Sequence, residues 1–246
     1  MFALSLSFFG IALAYAIVGF GGGSSYIAIL SAADVPYTLI PKISLLCNLL
    51  VVAGGTYHYL KNNHLNWRLM LPFILSSVPM AFFGGMFPVK EKTFFILLTP
   101  SLILCGVRLL FLPDRPVEKI KAPSIFVSLL VGGALGFLAG LVGIGGGIFL
   151  SPVMINMGWA RAKNAAAIAS VFIFVNSISG LLGQFAKNSS ITYMQDYYSL
   201  FIAVFIGGQI GSRIGTHQSV SFLFVQKCTG VLTLFICIKL LMKVIG

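Results

Sequence analysis

The sequence predicts an all-α integral membrane protein made of two tandem homologous repeats, and three observations predict it. The chain of 246 residues is 58% hydrophobic and only 9% charged, where a soluble domain carries about 25% charged residues. Apolar runs long enough to cross a bilayer, which takes ~20 residues, recur along its whole length. A glycine break inside the first run, Val18-Gly19-Phe20-Gly21-Gly22-Gly23, returns about 124 residues later as Val142-Gly143-Ile144-Gly145-Gly146-Gly147.

The long runs fall at about 2–20, 39–60, 67–87, 93–112, 124–142, 164–186, 197–215 and 222–244. Two short apolar pieces, at about 24–33 and 148–157, follow the glycine breaks. They are too brief to span and read as re-entrant or half-helical. Met1-Phe2-Ala3-Leu4-Ser5-Leu6 lacks the basic start of a signal peptide, and no small-residue cleavage site follows the first run, so that run reads as a retained helix. The longest polar connection begins at Pro113-Asp114-Arg115-Pro116 and ends at Pro123. It divides the chain into a first repeat at 1–112, a linker at 113–123 and a second repeat at 124–246.

Likeness between the halves extends past the glycines. A shift of about 128 residues pairs Asn48 with Asn176 and Gly55 with Gly183, and in the next run Gly84-Gly85 pairs with Gly207-Gly208. One repeat is then four long segments with a glycine-broken short helix near its start. Whether the halves are inverted or parallel stays open, because the course of the short piece decides it. Gly132-xxx-Gly136-xxx-Gly140, Gly207-xxx-Gly211-xxx-Gly215 and Ser77-xxx-Ala81-xxx-Gly85 put small residues on single helix faces, where backbones can approach closely. Pro79 and Pro100 fall inside apolar runs and are expected to kink them. With alternating crossings, nine basic residues gather on one side and seven on the other, which favours cytoplasmic termini.

Net charge is +11, from 16 basic and 5 acidic residues. The basic residues lie between apolar runs without an aromatic-interleaved patch, so nucleic acid is not the expected partner. The excess reads as loop charge facing a lipid bilayer, or as a vestibule that attracts anions. Cys47, Cys105, Cys228 and Cys237 all fall inside apolar runs with no Cys-x-x-Cys, and read as small core residues. Asp34, Glu91, Asp114, Glu118 and Asp196 all lie outside the long runs. A carboxylate relay and a carboxylate cation site are therefore not expected. Asp34, just after the first short piece, reads as a helix-end or turn residue. Neither a metal nor a cofactor is expected, and no nucleophile elbow, Walker lysine or metal-spaced Cys/His cluster points to an enzyme.

Chemistry is therefore sought at the breaks. Three glycines in a row leave backbone groups without helical partners. In hydrocarbon these are tolerated only where buried in protein or facing a watery cavity. Matching interruptions in two halves point to a transporter's substrate site. Half-helices starting at Gly23 and Gly147 would aim N–H groups and a positive dipole end at a shared cavity, suited to a small anionic substrate. Ser24 and Ser25 could cap the first half-helix, and the symmetric amides Asn48 and Asn176 would add neutral donors. Lys42, Arg161 and Lys163 stand where the chain enters the run after each short piece, and read as snorkelling at the interface.

Gly-Phe-Gly-Gly-Gly at 19–23 and Gly-Ile-Gly-Gly-Gly at 143–147 head short apolar pieces in a duplicated chain. With the polar second helix of each half and Gly207-Gly208-Gln209-Ile210-Gly211, the whole chain resembles the TauE/SafE family of sulfite and organosulfonate exporters. The resemblance implies a permease moving small sulfur-containing anions, such as sulfite or sulfoacetate, across the bacterial inner membrane. It implies that Gly21, Gly22, Gly23, Gly145, Gly146 and Gly147 line the substrate site. Ser24, Asn48 and Asn176 join that set from their position alone. Ile148-Phe149 stands where the first copy has Ser24-Ser25, so any hydroxyl contact is one-sided. A carrier or channel for another small solute or a metal cation is the alternative, and a non-transport assembly subunit the third reading. Self-association into a homo-oligomer stays open.

Overall fold

Glycine sets the ends of the helices that matter most. In the computed structural model, which describes residues 2–61, 65–111, 120–188 and 194–216 with Lys227, Val231 and Leu234 beyond, helix α1 (Phe2–Val18) stops at Gly19. That residue has a φ of 84°, a left-handed conformation that glycine adopts without the steric cost of a Cβ. The short α2 (Gly23–Ala32) follows, then α3 (Ile40–Lys61), α4 (Trp67–Met86) and α5 (Glu91–Phe111). The second half opens with α6 (Ile125–Val142), which ends on Gly143 at φ 88°. The short α7 (Gly147–Asn156), α8 (Ala162–Lys187), a turn of 3₁₀ helix (Met194–Tyr197) and α9 (Tyr198–Thr216) complete it. Asn66 and Ser124 cap α4 and α6 by accepting from Leu69 N–H and Val127 N–H. Asp34 sits at the end of α2 with a φ of 56°, a position where Asn and Asp replace glycine more readily than bulkier residues do.

Among the described residues all regular structure is helical, and four helices are long and apolar enough to cross a membrane: Ile40–Lys61, Trp67–Met86, Ile125–Val142 and Lys163–Lys187. Helices α1, α5 and α9 stand where three further long segments are expected. The eighth expected segment, at 222–244, lies outside the described residues apart from Lys227, Val231 and Leu234, and most of the linker lies outside them as well. Outward faces are apolar, with Leu75 on α4, Phe126 and Leu130 on α6 and Ile202 on α9 all exposed. Such surfaces suit lipid rather than water.

The small-residue faces explain which helices meet. Gly132, Gly136 and Gly140 of α6 lie against the backbone of α4, where an added Cβ would run into the carbonyls of Phe73, Ser77 and Ala81. Gly207, Gly211 and Gly215 of α9 lie in the same way against Phe9, Leu13 and Ile17 of α1. Lipid offers no hydrophobic drive for association, so this close approach is what brings the helices together. Helix α3 packs on α8 at the centre, α4 on α8 and α3 on α9, while α2 and α7 rest on α3 and α8. Elements of the two sequence halves therefore interleave, and one buried cluster draws residues from both, including Tyr15, Tyr26, Ile43, Ile144, Ile173 and Val204.

Candidate functional site

Both breaks pass into their short helix through a left-handed glycine, and the second has one more such residue, Gly145 at φ 84°. Gly22 takes a φ of 83° and α2 begins at Gly23; Gly146 takes a φ of 75° and α7 begins at Gly147. The helical ladder uses N–H groups from Ser25 onward in α2, where Ser25 and Tyr26 both donate to Gly22 O. Those of Gly23 and Ser24 are left over for another acceptor. In α7 the N–H groups of Phe149 and Leu150 donate to Gly146 O and that of Gly147 turns back to Gly145 O, leaving the Ile148 group.

The breaks meet. A Cβ placed on Gly23 would come within 2.7 Å of Ile144 O. Asn48 stands between them, with Nδ2 donating to Ile144 O at 3.0 Å and its side chain against Gly21, Gly23 and Gly145. Ser44, one turn earlier on α3, donates to Gly143 O at 2.7 Å and contacts Gly23 O at 3.2 Å. One face of α3 thus ties the two interruptions together. All six glycines of the expected site, with Ser24, Asn48 and Asn176, are buried.

The expectation of an open space between the breaks is not met in this conformation. No site glycine has room for a methyl without a neighbour giving way: Gly22 is closed by Tyr26 and Ile11, Gly146 by Phe172 and Ala139, Gly147 by Ile173. Each of these glycines is therefore packed against protein where a side chain would stand, and the breaks sit closely against one another.

Individual side chains also differ from expectation. The N-cap of α2 is Gly22, with no side-chain cap bond, so Ser24 and Ser25 do not cap the helix. Their hydroxyls instead share hydrogen bonds with Tyr15 OH at 3.3 and 2.9 Å. Asn176 is brought into the core but turns along its own helix, donating to Phe172 O at 2.8 Å. Four buried atoms, Asn48 Oδ1, Asn176 Oδ1, Tyr26 OH and Ser177 Oγ, have no hydrogen-bond partner. Tyr26 OH lies beside Gly22, Asn48 Oδ1 beside Gly21 and Ser177 Oγ beside Gly145. Unsatisfied buried polar groups cost roughly 1–3 kcal/mol each and call for a reason. Arg161 and Lys163 are exposed, as snorkelling requires. Lys42 is not: it is 1% exposed and donates to Asn188 O at 2.6 Å.

Among known proteins, the profile of the sulfite exporter TauE/SafE family matches residues 4–240. This chain belongs to the sulfite exporter TauE/SafE family. It is therefore a membrane transporter of the TauE/SafE type. It is 33% identical over 217 residues to a probable membrane transporter protein of Sinorhizobium fredii, covering 87% of each chain. It is 24% identical over 228 residues to another of Bacillus subtilis, covering 80% of this chain and 82% of that one. No solved structure matches the chain.

Ser44, Tyr15, Tyr26 and Ser177 are the neighbours of the breaks that reading the sequence misses. The signal for Ser44 is its place four residues before Asn48, on the same helix face. Ser177 adjoins Asn176, and Tyr26 lies in the first turn of α2.

Proposed function

We propose that this chain is a secondary carrier of a small sulfur oxyanion, sulfite or a small sulfonate such as sulfoacetate, across the bacterial inner membrane. The observation that carries the reading is the meeting of two helix-starting glycine breaks at one buried point, tied by Ser44 and Asn48. An anion taken in when the breaks part would be met by the Gly23 and Ser24 amides, the positive end of α2, and the hydroxyls of Tyr26 and Ser177. Gly21, Gly22, Gly23, Gly145, Gly146 and Gly147 form its walls, and the closed packing corresponds to a resting state between turnovers.

Two tandem repeats are part of the same proposal. Pairing of α1 with α9 and of α6 with α4, across a central α3–α8 contact, is what two equivalent halves exchanging helices would produce. Rocking of one half on the other would then open the breaks to each side in turn. The family's description as sulfite exporters supports the substrate class, and the relatives' description as membrane transporters supports transport.

A second reading has one observation in its favour. The unpartnered oxygens Asn48 Oδ1 and Asn176 Oδ1 are acceptors, which suit a cation or the proton of a hydrogen-bearing anion. Uptake into liposomes of reconstituted protein separates the two. Sulfite uptake that chloride and nickel do not compete away supports the first; nickel uptake without sulfite uptake supports the second.

A further inference from the structure

Closed breaks require a route by which a substrate reaches them. A cavity of about 230 Å³ opens between α3, the α4–α5 connection, the end of α6 and the end of α8. Its lining, among the described residues, includes Lys42, Lys187, Gln184 and Tyr37 and no acidic side chain. Lys187 is exposed at the end of α8, and its ammonium, which carries three N–H donors, gives one to Phe87 O at 3.4 Å. Lys42 is buried, with Nζ also 5.2 Å from the centre of the Phe185 ring. Leu141 and Pro41 also line it, and Pro41 lies directly against Gly143 of the second break. Two cations thus line one cleft that shares Pro41 with the second break.

We propose that this cleft is an anion-recruiting vestibule, in which Lys187 and then Lys42 hold a small oxyanion before it enters the breaks. A charged cleft with low-dielectric walls raises the local concentration of its counter-ion. Lys187 and Lys42 would bind substrate without taking part in the opening itself. As a route into the carrier, the vestibule rests on the anion reading above. As a binding site, it can be tested without transport.

The experiment compares wild type, Lys42→Gln, Lys187→Gln and Lys187→Arg. Radiolabelled sulfite uptake into liposomes is measured over a range of ionic strength, and the thermal shift of purified protein with sodium sulfate is measured against sodium chloride of equal ionic strength. Loss of either lysine is expected to raise KM about tenfold with little change in maximal rate, to flatten the salt dependence and to remove the sulfate shift. Lys187→Arg is expected to restore all three. The alternative role for both lysines is to cap helix C-terminal carbonyls, at Asn188 of α8 and Phe87 of α4. That role would lower thermal stability and leave KM alone, which overturns the proposal. Should Lys42→Gln fail to insert, Lys187→Gln at the exposed rim decides. Sulfite uptake with unchanged KM in Lys187→Gln overturns the vestibule and leaves the carrier standing. A sulfate shift lost in Lys187→Gln, with no uptake of any anion by wild type, keeps the binding site and removes the carrier.

Discussion

At the first break, Ser24 and Ser25 share hydrogen bonds with Tyr15, and Tyr26 OH lies beside Gly22. At the second, the matching positions are Ile148 and Phe149, and Gly146 is walled by Phe172, Ala139 and the Leu135 carbonyl. The backbone shares left-handed glycines at 19 and 22 and again at 143 and 146, and the second break adds a further one at Gly145, where Gly21 is not left-handed. The side chains differ more. The amides repeat the asymmetry: Asn48 reaches across to Ile144, while Asn176 bonds within its own helix. Similar interruptions with unlike surroundings point to the interruption itself as the shared feature. On the proposed reading, most of the polar contacts to a substrate would come from the first.

That comparison can be broken first at the glycines. Gly22→Val and Gly146→Val each place a β-branched residue at a positive φ, which costs roughly 1–2 kcal/mol before any clash is counted. Each also meets packed neighbours. Sulfite flux is expected to fall below detection in both while membrane insertion, read by fractionation, is kept. Wild-type flux in either would show that its break is scaffolding.

The amides should separate the halves. Asn48→Ala removes the donor to Ile144 O from between the breaks, and a loss near 1.4 kcal/mol would lower kcat/KM about tenfold. Asn176→Ala removes only an intrahelical bond and is expected to cost about twofold. Equal losses in a side-by-side uptake assay would mean that the two breaks serve the substrate alike.

A smaller effect is expected at Ser44. Ser44→Ala leaves Gly143 O without its hydroxyl donor and should lower the melting temperature of the detergent-purified protein, by a change on the order of 1 kcal/mol. An unchanged melting temperature would mean that Ser44 does not tie the breaks together. Smallest in its effect on substrate affinity, Ile148→Ser is expected to leave KM within about twofold of wild type, although replacing this buried core side chain lowers the melting temperature. A large gain in affinity would show that the apolar second break was limiting.

Much of this architecture is legible from residue types alone, for physical reasons. Gly19 and Gly143 end helices because left-handed geometry at a C-terminus suits glycine, and the apolar runs around them are too regular to be anything but helix. The starts of α2 and α7 follow from the same glycines. What stays hidden depends on where a distant carbonyl lies. Asn48 and Asn176 look equivalent in sequence, and only packing shows that one faces Ile144 and the other Phe172. Ser44 looks like any serine in an apolar helix until Gly143 is beside it. Lys42 reads as a surface lysine because nothing local reveals that the carbonyl at the end of α8 lies where it can accept a hydrogen bond from its ammonium. The closure of the breaks is likewise a matter of tertiary packing, which spacing does not encode.

Equilibrium binding of radiolabelled sulfite to the purified protein tests the central claim most directly, because it asks whether the joined breaks hold an anion at all. Wild type should bind saturably, and Gly22→Val and Asn48→Ala, running as monodisperse protein, should lose most of that binding. Undiminished binding in both variants would contradict the account.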